Sequence, residues 1–139
     1  MTAIQSVFDV ASRALSAQQV RLNAVASNLA NARSAAGTPE EAYRAIRPVF
    51  ETEYARQMGA GRGLSTVNVA DVVALDREPE RVLMPDHPDA DPDGYVYRAA
   101  VDVDEELVEM VESSRQYQNI LEVVSTLRTL MSRTVSMGQ

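Results

Sequence analysis

Cysteine, lysine and tryptophan are absent from this chain of 139 residues, and histidine occurs once. Without cysteine there is no disulfide, no thiolate nucleophile and no cysteine-ligated zinc. Aromatic residues make up only 5%, too few to line a large pocket for a small-molecule substrate. All 13 basic residues are arginines, none falls in a dense run, and the net charge is −7. That balance excludes a nucleic-acid partner, whose phosphates select clustered cations. No run approaches the ~20 apolar residues of a membrane span. The opening, from Met1 to Asp9, has neither a basic start nor an unbroken apolar stretch. No cleavable secretory signal is therefore expected, and a chain leaving the cytoplasm would need another route.

What the sequence does have is a heptad stripe at each end. Steps of 4-3-4-3-4-3-4 from Ile4 reach Phe8, Ala11, Leu15, Gln18, Leu22, Val25 and Leu29, with Gln18 the only polar member. The same alternation from Val103 reaches Leu107, Met110, Ser114, Tyr117, Leu121, Val124, Arg128, Met131 and Val135, and Leu127 and Leu130 widen the face. An apolar repeat of 3.5 residues held this long predicts helices that pair as a coiled coil. Their lengths, roughly 40 and 50 Å at 1.5 Å per residue, predict that they do not fold back onto the middle. Polar stripe members Gln18, Ser114 and Arg128 are expected to set register.

The first helix is predicted from Thr2 to Asn31, and the segment from Ser34 to Glu40, with Gly37 and Pro39, as a flexible connector. Residues 43–55 and 64–75 are rich in β-branched and aromatic side chains and read as two strands about the glycines Gly59, Gly61 and Gly63, a mobile hairpin tip. Arg81 to Met84 and Tyr95 to Val101 read as short strands flanking a Pro- and Asp-rich loop. Asp102 and Asp104 stand where an N-cap belongs, and Glu105, Glu106 and Glu109 crowd the turns that follow, where negative charge favours the helix dipole. The fold class is accordingly mainly α with a small β-rich middle. The division is an N-terminal helix over 1–33, a β and loop middle over 34–101 and a C-terminal helix over 102–139 that packs with the first.

Several stretches imitate sites. Asp89, Asp91, Asp93 and Gly94 have the spacing that opens a calcium-binding EF-hand loop, but the twelfth position is Ala100 instead of a bidentate glutamate, so a solvated acidic turn is the better reading. His87 has no second histidine or cysteine with which to share a metal. The glycines at 59, 61 and 63 lack the Lys-Ser/Thr of a P-loop. Ser113 and Ser114 have no histidine in helical reach, and the carboxylates from Asp102 to Glu112 read as a solvated helix start. No catalytic residue, cofactor or metal is expected.

Ala26-Ser-Asn28-Leu-Ala-Asn31-Ala is different. Small side chains let a neighbour approach closely, and Asn28 and Asn31, three apart on one face, can hydrogen-bond to a neighbouring backbone. A fraying helix end with an Asn cap remains the alternative. The segment from Leu15 to Ala32, LSAQQVRLNAVASNLANA, resembles the N-terminal signature of the bacterial flagellar axial proteins, the rod and hook family. MPDHPDADPDGYVY from Met84, VDVDEELVEM from Val101, SSRQYQN from Ser113 and LMSRT from Leu130 extend the likeness over essentially the whole chain, and on the rod side of that family. Arg33-Ser34, Ala100-Val101-Asp102 and the linker before Tyr43 depart from its pattern.

The resemblance implies a structural subunit of the basal-body proximal rod, exported by the flagellar type III apparatus without a cleaved signal and stacked helically with copies of itself and other rod subunits. Such a shaft crosses the periplasm and transmits torque. The stripes supply the assembly interface this needs: Ile4, Phe8, Ala11, Leu15, Gln18, Leu22, Val25, Asn28, Leu29 and Asn31 from the first helix, and Leu107, Met110, Tyr117, Leu121, Val124 and Met131 from the second. A cytoplasmic coiled-coil adaptor or export chaperone is the alternative from another class, and a calcium-regulated hairpin a remoter one.

Overall fold

The computed structural model describes residues 2–55 and 64–137, with side chains described for 6–52 and 65–137. The side chain of Ile4 and the glycine tip at 59–63 lie outside the described residues. Helix α1 (Thr2–Asn31) and helix α2 (Val103–Met137) bracket five strands: β1 (Ala35–Ala36), β2 (Ile46–Ala55), β3 (Leu64–Ala74), β4 (Glu80–Leu83) and β5 (Tyr95–Arg98). The fold is two long helices with short antiparallel strands between them. At 1.5 Å per residue, α1 and α2 are about 45 and 52 Å long.

Each boundary has a local cause. At the start of α2 the Asp102 carboxylate accepts from the backbone N–H of Asp104 (3.0 Å) and Glu105 (3.2 Å), so two orphan donors are capped. The end of α1 comes six residues before Gly37. There Ser34 closes a turn onto the Asn31 carbonyl through its backbone (3.0 Å) and hydroxyl (2.8 Å).

Ala35 and Ala36 leave that turn as a strand, pairing with Arg98 and Tyr97 of β5, while β4 pairs on the other side of β5. The connector expected to be flexible is thus tied into a sheet. Ala99 donates to the Ser34 carbonyl and Ala100 to that of Tyr43, supplying the backbone partners that its small side chains could not signal. A Cβ at Gly37 would come within 3.0 Å of the Asp89 carbonyl, a close approach that requires glycine.

Strands β2 and β3 form a separate antiparallel ribbon, with a register shift between Val49, opposite Asp71, and Phe50, opposite Val69. Ala70 is left unpaired, a bulge that twists the ribbon. Contrary to the expectation that α1 is too long to meet the middle, both strands lie against it. Arg13 donates to the Asn68 side chain (3.2 Å), and Thr66 is buried. A two-stranded ribbon is marginal by itself, and the flank of α1 is its support.

The helices run antiparallel. Gln18 bonds Gln116 (2.9 Å), Arg21 pairs with Glu109, and Asn28 bonds Glu106 (3.1 Å), so positions rise on one helix as they fall on the other. Among the described elements α2 packs on α1, and β2 reaches it through Arg47 on Glu105 and Glu106. The best-buried apolar residues are small, Ala11, Ala17, Ala24, Val25, Ala42, Ala45 and Val96. Small side chains let the helices and ribbon approach closely, and they leave the centre of the packing to polar groups.

Candidate assembly interface

On α2 the buried and half-buried positions are Glu106, Glu109, Met110, Ser113, Ser114, Gln116, Tyr117, Ile120, Val124, Leu127 and Met131. Eight of them, Glu106, Met110, Ser113, Tyr117, Ile120, Val124, Leu127 and Met131, follow a 4-3 alternation and form the stripe laid against α1, with Glu109, Ser114 and Gln116 on its flank. The stripe read from apolar residues shares Met110, Tyr117, Val124 and Met131 with it but takes the neighbouring residue elsewhere. Leu107 and Leu121 stand on an outward flank, 48% and 44% exposed. At 106 the facing residue is a glutamate, which hydrophobic periodicity steps past to Leu107; at 120 it is apolar, and fixed steps counted from Val103 fall beside it on Leu121. Ser113, fully buried, sends its hydroxyl to the Glu109 carbonyl in its own helix (2.7 Å), as a buried hydroxyl must find a partner.

Along α1, Ala11, Val25 and Asn28 are buried, and Phe8, Leu15, Gln18, Leu22, Leu29 and Asn31 are half-buried. Asn28 is the pivot. Its Oδ1 accepts from the Ile46 backbone N–H (2.8 Å) and the Tyr43 hydroxyl (3.0 Å), while its Nδ2 donates to the Ile46 carbonyl (3.0 Å) and to Glu106 Oε2 (3.1 Å). Two donors and two lone pairs are all used. Asn31 instead donates back to the Ser27 carbonyl (2.8 Å). Of the two asparagines, only Asn28 reaches a neighbouring strand.

Glu106, fully buried, lies 2.6 Å from Arg47 Nη2. The acidic helix start expected to be solvated therefore has one member inside. Arg47 also approaches Glu105 (3.3 Å), and Arg77 forks onto both Glu105 oxygens (2.8 and 3.0 Å). Burial works against the Arg47 charge, but the hydrogen bond and charge of Glu106, with the charges of Glu105 and Glu109, raise its pKa further above the ordinary value. The Arg77 hydrogen bond, opposed by slight burial and assisted by the Arg77 and Arg47 charges, lowers that of Glu105. Glu109, read from sequence as solvated, pairs with Arg21, both side chains less than a quarter exposed. Removing its charge is expected to be felt. Arg21, Tyr43, Arg47, Glu106 and Gln116 escaped the sequence reading because nothing in a helical or strand period marks a polar residue that faces inward.

The acidic loop is closed by the protein itself. Asp91 Oδ1 accepts from the backbone N–H of Tyr95 (2.8 Å) and Asp93 (3.0 Å). The Arg81 guanidinium sits 3.5 Å from Asp91 and 3.9 Å over the nearest Asp93 oxygen, and 3.8 Å above the Tyr95 ring. The Tyr95 N–H, against a slight burial cost and helped by Asp93 and Arg81, lowers the Asp91 pKa. His87 accepts from the Asp89 N–H (3.1 Å). Among the described residues no group of three or more His, Asp or Glu side chains is arranged to hold a metal.

Two family models match the segments that carry this geometry. "Flagella basal body rod protein" matches residues 8–32, and "Flagellar basal body rod FlgEFG protein C-terminal" matches residues 93–137. Asn28 lies in the first and Glu106 in the second. Over nearly its full length the chain is similar to curated rod proteins. It is 40% identical to the flagellar basal-body rod protein FlgC of Salmonella typhimurium over 137 residues, covering 99% of both chains. It is 42% identical to FlgC of Escherichia coli O6:H1, again covering 99% of both, and 44% identical to FlgC of Yersinia enterocolitica, covering 96% of this chain and 97% of that one.

The chain belongs to the FlgC family. It is a structural subunit of the flagellar basal-body rod, in a family of structural proteins. A place in the rod implies assembly with other rod components, and the FlgC relatives give no support to the adaptor or chaperone reading. None of the described helices is long and apolar enough to cross a membrane.

Proposed function

We propose that this FlgC-family chain is a proximal-rod subunit that assembles through its terminal helices and passes torque along a shaft across the periplasm. The observation that carries it is the division of α2. One stripe is spent on α1, while Leu107, Val108, Val111, Leu121, Val123 and Leu130 remain 44 to 70% exposed on its other flanks. Fully burying side chains of this kind stabilises by about 1.5 to 3 kcal/mol each. A few such residues per contact are enough to hold neighbouring helices together.

In this reading 1–33 and 102–139 form the assembling part, an antiparallel coiled coil whose outer stripes take neighbouring helices, and 34–101 is carried on its flank. The seam uses Phe8, Ala11, Leu15, Gln18, Leu22, Val25, Asn28, Leu29, Asn31, Met110, Tyr117, Val124 and Met131, with Leu107 and Leu121 reserved for neighbours. Ile4 belongs to the same interface by its place in the repeat. The partners are copies of this chain and other rod subunits, reached after export through the flagellar type III apparatus.

Replacing Leu121 by Asp tests this. The side chain is exposed in the single chain, so the variant is expected to be made and to remain folded. In an assembled rod it would bury an unpaired charge at a cost of several kcal/mol. Cells carrying it in place of the native subunit should lack rods, hooks and swimming. Normal rods and motility would remove the outer stripe from the interface.

A further inference from the structure

Glu106 is unusual among the described carboxylates in having no exposed surface, and although it opens the α2 stripe it adds no apolar area to the seam. It stands where α1, the base of the β2–β3 ribbon and the first turns of α2 converge. One oxygen faces Asn28 of α1 and the other Arg47 of β2. Asn28 in turn holds both backbone groups of Ile46, the first residue of β2. The base of the ribbon is held further by Arg47 on Glu105 and by Arg77, beyond the end of β3, on Glu105.

These contacts differ in kind from the rest of the packing. Apolar surfaces can slide by a fraction of a turn with little loss, whereas a buried carboxylate that leaves its partners strands charge and hydrogen-bonding groups out of water. Helix α2 packs on α1 down to Met131, and β2 meets it through Arg47 on Glu105 and Glu106, so the position of Glu106 is set by that seam together with the ion pair.

We propose that Glu106 is a latch that couples helix pairing to the docking of the ribbon. With α2 seated, the Asn28–Glu106–Arg47 cluster is complete and β2 is fixed to α1 at Ile46. With α2 displaced, Arg47 and Asn28 lose their common partner, and the base of the ribbon loosens while the β1–β5–β4 sheet stays intact. The latch is internal to one chain and does not depend on the rod reading.

Hydrogen exchange on the full-length chain, read residue by residue as the ratio of the Ile46 amide to the β5 amides, tests it. The distant perturbation is Val124→Ala, in the seam eighteen residues from Glu106 and so about 27 Å along the helix. In the native background, V124A should speed exchange at Ile46 several-fold relative to β5. In an E106A background, Ile46 should already exchange at least about tenfold faster than in the native chain, and adding V124A should change the ratio no further.

Glu106→Gln keeps an acceptor for Asn28 but removes the ion pair with Arg47, and should lie between the two. If E106A does not fold, the same cycle run on E106Q should show the effect of V124A reduced by at least half. A V124A effect of the same size with and without Glu106, or an equal acceleration at Ile46 and β5, would overturn the latch, the first because coupling bypasses Glu106 and the second because the chain opens as a whole.

Discussion

Around the junction of α1, β2 and α2, neighbouring glutamates have opposite environments. Glu106 is sealed from water, while the adjacent Glu105 side chain is 43% exposed and screened. The pH response of Glu105 follows from its lowered pKa. The unfolded chain takes up a proton near the ordinary value of 4.5, the folded chain only below it. Its stabilising contribution is therefore fully present above that value and is lost as pH falls through the lowered one. Glu105→Gln is expected to lower the melting temperature at pH 7, and the gap from the native protein should close between about pH 5 and pH 3. Added salt should narrow it as well, since the pair is near the surface. A gap of equal size at pH 3 would show that the Arg77 pairing is not its source.

At the scale of elements, the loop between β4 and β5 shows how a motif is decided by what surrounds it. Its aspartates have the spacing of a cation site, but the Arg81 charge and two backbone N–H groups already occupy Asp91. Calcium at millimolar concentration is expected to give no saturable heat and no rise in melting temperature. A calorimetric signal lost in Asp91→Ala would overturn this. The same loop depends on Gly94, whose φ of +83° is strained for any L side chain and whose added Cβ would meet the Pro85 Cβ at 3.2 Å. Gly94→Ala should cost about 1 to 2 kcal/mol, measurable by urea unfolding. Loss of stability within error of zero would mean that the loop rebuilds itself without positive φ.

For the whole molecule, the separation of an inward and an outward stripe on α2 makes two aspartate substitutions diverge. Val124→Asp places a charge against α1 and should destabilise the isolated chain by about 2 to 4 kcal/mol. Leu121→Asp, three residues away on the exposed flank, should shift it by no more than about 0.5 kcal/mol. Denaturant midpoints of the two purified variants decide the matter, and equal losses would mean that both faces are buried within one chain. A protein whose best-buried apolar residues are mostly alanines has little stability to spare, so the seam substitution should be conspicuous.

The sequence by itself determined that two long helices enclose a short β-rich segment, where the Asp102 cap sits, and to which family the chain is related. These are properties of local period, of capping chemistry and of contiguous motifs, and they survive without knowledge of distant neighbours. Only the tertiary structure decided which face of α2 meets α1, that the ribbon rests on α1, that the segment after Asn31 joins a sheet, and that Asn28, Arg47 and Glu106 converge. Hydrophobic periodicity registers apolar residues alone. A buried carboxylate is stable only beside the groups that compensate it, and those lie 59 and 78 residues away in the chain, a distance that no local pattern spans.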